Sequence, residues 1–141
     1  MNLVFVRHGQ SIWNLENKFT GWVDVGLSEK GIEEANTAGK TLIENKFIPE
    51  ICFTSYLIRS IETSNKLLNQ YDETLINEIN ILKRWQLNER HYGALQSLDK
   101  IETTKKYGER QVHAWRRSYK TRPPFVEKHS KYDPKQDDAY K

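Results

Sequence analysis

The chain has 141 residues, which suits one domain with a buried core and leaves little room for a second. Its 22 basic side chains are nearly balanced by 19 acidic ones, so no nucleic-acid-binding surface is predicted. The single cysteine, Cys52, excludes an intramolecular disulfide, and no apolar run is long enough for a signal peptide or a membrane span. We therefore expect a cytoplasmic protein without a membrane partner.

The first part of the chain alternates predicted strands with predicted helices. Leu3–Val6 is an unbroken run of β-branched and other apolar residues, which is typical of a buried parallel strand. A long loop with a helical turn is predicted over Gln10–Val25. Ser28 is then a candidate N-cap for a helix that continues to about Asn45, and Ile51–Thr54 is predicted as a second strand.

The next part repeats the alternation and adds helices. A helix is predicted from about Ile58 to Asn69, a third strand over Leu75–Leu82, and a polar, aromatic loop over Trp85–Gln96. Two further helices are predicted near Asp99–Tyr107 and Glu109–Tyr119. This order predicts an α/β fold with a mostly parallel sheet flanked by helices.

The C-terminal segment differs from what precedes it. Residues 121–141 contain Pro123-Pro124, many charges and no hydrophobic period, so they are predicted to form a polar loop or a disordered tail. Residues 1–120 would then be the N-terminal part of one catalytic domain. Three strands make a thin sheet, since such sheets usually have about five or six, and the fold is expected to be incomplete at its C-terminus.

The sharpest chemical signal is the tripeptide Arg7-His8-Gly9 at the end of the first predicted strand. Neutral imidazole is a good nucleophile near pH 7, and its phosphoramidate can pass a phosphoryl group onward. Arg7 would bind the phosphoryl oxygens in a bidentate manner, and Gly9 would let backbone N–H groups approach them. A histidine satisfied by local hydrogen bonds would fit the tripeptide as well.

Motifs that follow in order along the chain extend this signal. Arg7–Asn14 resembles the phosphohistidine signature of the histidine phosphatase superfamily, and Phe19–Asp24 and Leu27–Gly31 resemble its mutase branch. Leu87–Gln96 is similar to the mutases that require 2,3-bisphosphoglycerate. Smaller matches occur at Thr54-Ser55, Arg59, Lys100, Tyr107-Gly108, Gln111-Val112 and Trp115-Arg116-Arg117. On these motifs the chain is identified as a member of the bisphosphoglycerate-dependent phosphoglycerate mutase family.

The resemblance assigns four catalytic residues. It implies that His8 is the phosphorylated nucleophile and that Glu89 handles the proton of the substrate hydroxyl. Arg7 and Arg59 match the family's phosphate clamp. Without the motif, Glu89 beside Arg90 would be interpreted as a surface ion pair.

The resemblance also implies a set of substrate-binding positions, some at the phosphate and others at the substrate carboxylate and second phosphate. These positions are Gly9, Gln10, Ser11, Ile12, Trp13, Asn14, Thr20, Gly21, Arg90, His91, Tyr92, Lys100, Arg116 and Arg117. Without the motif, the pair Arg116-Arg117 would be interpreted as part of a solvated helix face.

A ping-pong reaction follows from the same resemblance. His8, primed by 2,3-bisphosphoglycerate, would donate its phosphoryl group to a phosphoglycerate and recover the other group from the bisphosphate that forms. The net reaction would interconvert 3-phosphoglycerate and 2-phosphoglycerate, in glycolysis and gluconeogenesis. The partner would be a small phosphorylated substrate, no metal would be needed, and the chain would form a homo-oligomer, either a dimer or a tetramer.

The sequence departs from the family pattern at its C-terminal end. Family members continue further, through a strand beside the first one that carries a second histidine in an Ala-His-Gly-Asn motif. Neither His113 nor His129 matches that motif, and His91 belongs to the motif of Glu89. Two alternatives therefore stand beside the mutase: an impaired or inactive remnant that only binds phosphorylated anions, and a phosphatase of the same superfamily.

Overall fold

The computed structural model describes residues 2–140, and these divide into two compact units. Unit 1 consists of Val25–Leu87 and the N-terminal segment through Ile12. Unit 2 consists of Trp13–Asp24 and the C-terminal segment from Asn88. Each unit therefore brings together segments that are far apart in the sequence.

Unit 1 contains the alternating helices and strands that the sequence predicts after the first loop. A four-residue helix, α1 (Ile12–Leu15), supplies the predicted helical turn in that loop; Ile12 belongs to unit 1 and the other three residues to unit 2. The elements that follow are α2 (Glu29–Glu44), β1 (Ile51–Thr54), α3 (Ile58–Leu68), α4 (Glu73–Glu78) and β2 (Asn80–Lys83), and then a 3-10 turn at Trp85–Leu87.

Helix α2 begins at the predicted cap. The Ser28 hydroxyl accepts a hydrogen bond from the Gly31 N–H at 3.1 Å, which satisfies one of the unpaired donors of the first turn. The buried face of α2, which includes Ala35 and Gly39, packs against α3. The core there is formed by Leu67, Leu68, Tyr71 and Ile79, with Ala38, Leu42, Cys52, Leu75 and Ile76 packed against them.

Strands β1 and β2 form a two-stranded parallel sheet. Ile51 pairs with Asn80, and the register continues to Thr54 and Lys83. The parallel pairing confirms the predicted α/β class, because α3 and α4 connect the two strands as a crossover.

The predicted strand at Leu3–Val6 is wrong. This segment has no strand pairing within residues 2–140, and its side chains are exposed, with Leu3 at 71% and Phe5 at 89%. An apolar run signals a preference for burial, but a strand also needs a neighbour that accepts its backbone hydrogen bonds. No described segment lies alongside it in that role.

The predicted strand at Leu75–Leu82 is only partly correct. The Asp72 side chain accepts hydrogen bonds from the Thr74 backbone N–H at 3.0 Å and from its hydroxyl at 2.8 Å, and it thereby caps α4. Residues Glu73–Glu78 are therefore helical, and the strand is confined to Asn80–Lys83. A short apolar run fits either structure, and the cap decides in favour of the helix.

Unit 2 contains the two predicted C-terminal helices. Asp99 caps α5 (Lys100–Tyr107) by accepting from the Ile101 and Glu102 backbone N–H groups at 2.7 and 2.9 Å. Helix α6 (Glu109–Arg117) follows. The core is formed by Phe19, Leu95 and Val112, with Tyr92 and Trp115 packed against them. Short 3-10 turns occur at Gly93–Leu95, Pro134–Gln136 and Asp138–Tyr140.

Candidate active site

His8 lies in a loop of unit 1 with one tautomer of its ring fixed. Its Nδ1 atom is 2.7 Å from the carbonyl oxygen of Gly9. A carbonyl oxygen only accepts, so Nδ1 carries the proton and the lone pair of the neutral ring lies on Nε2. This is the nitrogen through which the half-buried His8 can attack phosphorus.

Gly9 is required here by close approach of the backbone. A Cβ at this position would lie 2.2 Å from the carbonyl oxygen of Gly31 in the first turn of α2. The Gly9 N–H also donates to the Thr63 hydroxyl at 3.2 Å. The loop that carries His8 is therefore held against both α2 and α3.

Arg59 is the buried arginine of unit 1. It lies in the first turn of α3 and is 1% exposed, whereas Arg7 is exposed. The Thr63 hydroxyl that binds Gly9 donates to the carbonyl oxygen of Arg59 at 2.7 Å. A guanidinium can bind the oxygens of an anionic group through two parallel hydrogen bonds.

The sequence-predicted positions that follow His8 along the chain divide between the two units. The Gln10 N–H donates to Glu34 Oε2 at 2.8 Å. Ser11 is completely buried and forms an antiparallel bridge with Leu27. Ile12 is exposed. In unit 2, Thr20 and Gly21 are buried, Trp13 is half-buried and Asn14 is exposed.

Unit 2 brings the remaining charged positions within electrostatic reach of one another. Burial raises the pKa of Tyr92, the Glu89 carboxylate raises it further, and Arg116, Arg117 and Arg90 oppose that shift. Glu89 and the three arginines therefore all lie within electrostatic reach of Tyr92.

The same charges act on Lys100. Burial lowers its pKa and Arg116 lowers it further, whereas the carboxylates of Glu89 and Asp99 oppose the change. The structure thus brings together the acid and the cations that the sequence assigns to substrate binding in this unit. Such a group offers carboxylate and phosphate oxygens several charged donors.

Arg90 and His91 hold the loop that carries Glu89. Arg90 Nη1 and Nη2 donate to the carbonyl oxygens of Trp115 and Ser118 at 2.8 and 2.6 Å. His91 Nδ1 accepts from the Gly93 N–H at 2.9 Å. Arg90 therefore ties the Glu89 loop to the C-terminal end of α6, and His91 forms a contact within the loop itself.

Several residues at the site escape prediction from the sequence. Thr63 links Gly9 to Arg59. Its position one turn after Arg59 on a predicted helix is the sequence feature that could have indicated this contact. Trp22, Gln96 and Tyr140 contact the Glu89 loop or each other, but they come from distant segments. No local spacing predicts their contacts.

Within residues 2–140, no group of three or more His, Cys, Asp or Glu side chains is arranged to hold a metal ion. Over the same range, no helix is long and apolar enough to cross a membrane.

Comparison with known proteins adds evidence independent of this geometry. The family model described as histidine phosphatase superfamily, branch 1, matches residues 3–139. The chain belongs to the histidine phosphatase superfamily. The match confirms the resemblance inferred from the motifs around His8 and Glu89.

Curated members of the histidine phosphatase superfamily similar to this chain include enzymes named 2,3-bisphosphoglycerate-dependent phosphoglycerate mutase. The one from Neisseria meningitidis serogroup C (strain 053442) is 52% identical over 140 residues, covering 99% of this chain and 60% of that protein. The one from Hydrogenobaculum sp. (strain Y04AAS1) is 52% identical over 139 residues, covering 99% and 55%. The chain therefore spans about 60% of the length of such relatives.

Solved structures with a similar fold include a phosphatase. A mycobacterial glucosyl-3-phosphoglycerate phosphatase in complex with VO3 matches with a TM-score of 0.68 and 27% identity, covering 82% of this chain and 53% of that chain. A structure described as mycobacterial hydrolase 1 matches with a TM-score of 0.69 and 26% identity, covering 82% and 50%. These matches confirm the predicted α/β class.

Proposed function

We propose that this chain is a phosphoglycerate mutase that interconverts 3-phosphoglycerate and 2-phosphoglycerate through a phosphohistidine at His8, primed by 2,3-bisphosphoglycerate. The observation that carries the proposal is the fixed tautomer of His8, whose Nδ1–H donates to Gly9 and leaves the lone pair on Nε2. The 52% identity to enzymes named as such mutases supports this substrate class. We extend the proposal to a cytoplasmic homo-oligomer.

The first step of the proposed reaction forms a nitrogen–phosphorus bond. His8 Nε2 attacks a phosphoryl group of 2,3-bisphosphoglycerate, and the bond between phosphorus and the bridging oxygen breaks. The departing oxygen becomes a hydroxyl of phosphoglycerate and takes up a proton. Arg59, with Arg7, offsets the charge on the phosphoryl oxygens during transfer.

Glu89 supplies and removes the proton in this proposal. Its carboxyl group gives a proton to the departing oxygen, and in the reverse direction its carboxylate takes the proton from the attacking hydroxyl. The phosphoryl group on His8 then passes to the free hydroxyl of a phosphoglycerate and gives 2,3-bisphosphoglycerate. After this intermediate reorients, its other phosphoryl group returns to His8, and Glu89 protonates the departing oxygen. Phosphorylated His8 and the Glu89 carboxylate are thereby restored in each cycle, so atoms and charges balance.

The cations of unit 2 orient the substrate. Arg116 and Arg117 lower the pKa of Tyr92, and Arg116 also lowers the pKa of Lys100. In the proposal they bind the carboxylate and the phosphate that does not react. Catalysis then depends on positioning and on positive charge placed before the reaction begins.

A phosphatase is the second candidate, and the structural similarity to a glucosyl-3-phosphoglycerate phosphatase favours it. A phosphatase would use water as the acceptor in place of a phosphoglycerate hydroxyl. The two candidates differ in one measurement, the loss of label from phosphorylated His8 with and without phosphoglycerate. Release as inorganic phosphate at the same rate in both cases would favour the phosphatase, whereas transfer to the added acceptor would favour the mutase.

The direct test is the intact mass of the protein after incubation with 2,3-bisphosphoglycerate. We expect the gain of one phosphoryl group that is lost in acid, because phosphoramidates are acid-labile. His8→Ala should abolish the gain, and His113→Ala, an exposed histidine on α6, should retain it. Folded wild-type protein that gains no mass would contradict the proposal and favour the inactive remnant.

A further inference from the structure

The loop that carries Glu89 is held at its main chain by a tryptophan from the other segment of unit 2. Trp22 Nε1–H donates to the carbonyl oxygen of Glu89 at 2.6 Å, and the Trp22 backbone N–H donates to Gln96 Oε1 at 2.7 Å. The indole also lies edge-on to the His91 ring, with 5.4 Å between the ring centroids. Gln96 is 2% exposed, so this end of the linkage is fixed in the interior of unit 2.

A second aromatic ring, from the C-terminal segment, packs on the same indole. The Tyr140 ring lies 4.6 Å from that of Trp22, with 30° between the ring planes. The Tyr140 hydroxyl accepts a hydrogen bond from Asn88 Nδ2 at 2.9 Å. Tyr140 therefore contacts the residue before Glu89 as well as the indole that binds Glu89 itself.

Packing alone does not account for these contacts. The buried aromatic core of unit 2 contains Phe19, with Tyr92 and Trp115 packed against it, and Trp22 and Tyr140 lie outside that cluster. Ring burial would be satisfied by any aromatic side chain. The indole N–H and the tyrosine hydroxyl instead meet polar groups of two consecutive residues in one loop.

We propose that Trp22 and Tyr140 are positioning residues that fix the main chain at Asn88 and Glu89, so that the Glu89 carboxyl group is presented in one orientation for proton transfer. The inference rests on the proposed role of Glu89. Glu89 is exposed, and the position of its main chain sets the region that its carboxyl group can reach. Proton transfer needs heavy atoms within about 2.6–3.2 Å, and small displacements therefore reduce the rate.

The first experiment measures whether the two residues hold the loop. Trp22→Phe and Tyr140→Phe remove the indole N–H and the hydroxyl but keep an aromatic ring. In both variants we expect amide hydrogen exchange of a peptide covering residues 88–93 to be about two- to tenfold faster, the effect of losing one hydrogen bond. The exposed residues Trp85 and Tyr119 provide the controls Trp85→Phe and Tyr119→Phe, which should exchange like wild type. Unchanged exchange in all four variants would overturn the proposal.

The second experiment measures whether holding the loop matters for the chemistry. We expect Trp22→Phe and Tyr140→Phe to slow phosphorylation of His8 by 2,3-bisphosphoglycerate by about three- to tenfold. In a Glu89→Gln background the same substitutions should cause no further slowing, because the positioned proton donor is gone. The same factor in both backgrounds would indicate a merely structural role and overturn the proposal.

The two experiments separate this inference from the proposed function. If wild-type protein takes up no phosphoryl group, the proposed function fails and the role of the two residues in proton transfer falls with it. Hydrogen exchange still decides whether Trp22 and Tyr140 hold the loop. If wild type is phosphorylated but exchange and rates are unchanged in the variants, the proposed function stands and this inference fails.

Discussion

His91 combines burial with a fixed tautomer. Its Nδ1 accepts from the Gly93 N–H, so the ring proton lies on the buried Nε2. A second proton would have to bind at Nδ1 and would break the bond to Gly93. Burial lowers the pKa of His91, while the Tyr132 carbonyl and the Asp133 carboxylate partly oppose that shift.

The free energy of unfolding should therefore fall as the pH is lowered through the usual range of histidine. The unfolded chain takes up a proton near pH ~6.5, whereas the folded chain resists it, so this contribution is complete above about pH 6.5 and declines below it. His91→Asn keeps an acceptor for Gly93 and removes the titration. We expect its stability to depend less on pH than that of wild type when both are unfolded with urea.

The matched control for this pH dependence is His113→Asn, at an exposed position on α6. It should show the wild-type profile. Carboxylates also contribute to the pH dependence of any protein, so the difference between variants is the informative quantity. Parallel profiles for wild type and His91→Asn would contradict the assignment of this contribution to His91.

Residues of this site can be predicted from the sequence only where they lie in a contiguous motif. His8 and Glu89 are predicted because each lies in a run of adjacent residues that resembles a known family motif. Trp22 and Tyr140 are not predicted, because their contacts with the Glu89 loop form only when distant segments pack together. The tautomer of His8 is likewise a result of backbone geometry at Gly9 and has no signature in residue types.

Among the elements, the helices are predicted better than the strands. Helix α2 follows from its Ser28 cap and its periodic apolar face, both of which are local in the sequence. Leu3–Val6 carries a strand-like pattern but has no partner among the described residues. The difference is physical, since a helix satisfies its own hydrogen bonds and a strand needs a second segment.

Packing between α2 and α3 depends on a glycine. A Cβ at Gly39 would lie 2.3 Å from the carbonyl oxygen of Leu67 and 2.7 Å from Gln70 Cγ. Alanine is favoured over glycine inside a helix by about 1 kcal/mol, whereas an added methyl group in a tight contact costs about 1–3 kcal/mol. Because a backbone carbonyl yields less readily than a side chain, we expect the steric cost to exceed the gain.

Gly39→Ala should therefore lower the free energy of unfolding by up to about 2 kcal/mol, measured by urea denaturation. Lys40→Ala, at the adjacent exposed position of α2, is the control and should change stability by less than about 0.5 kcal/mol. A Gly39→Ala variant that is more stable than wild type would show that helix propensity dominates and that the Leu67 carbonyl oxygen moves easily to make room for the added methyl group.

At the scale of the whole molecule, the main feature is the exposed apolar surface of unit 1. Leu3 and Phe5 are exposed, and Ile51 and Phe53 of β1 are 51% and 56% exposed. A cavity of about 190 Å³ lies among the N-terminal segment, β1 and α3, and most of its lining is apolar. Exposed apolar patches and unpaired strand edges are sites of association.

We therefore expect the chain to self-associate through unit 1, with an apparent mass in light scattering that rises with protein concentration. Phe5→Lys and Phe53→Lys should reduce the association, because each places a charge in the apolar surface. Phe125→Lys, at an exposed position in unit 2, should not. A monodisperse monomer with one cooperative thermal transition would contradict this expectation.

Association through unit 1 should also affect the rate of His8 phosphorylation. Only Arg7 separates His8 from Leu3–Val6, so a second copy that covers this segment should also stabilise the loop of the nucleophile. The rate of His8 phosphorylation per chain should then rise with protein concentration, and Phe5→Lys should remove that rise. Aggregation would instead lower the rate per chain, because aggregated copies contain misfolded sites. The sign of the concentration dependence thus distinguishes a productive assembly from an exposed surface that merely aggregates.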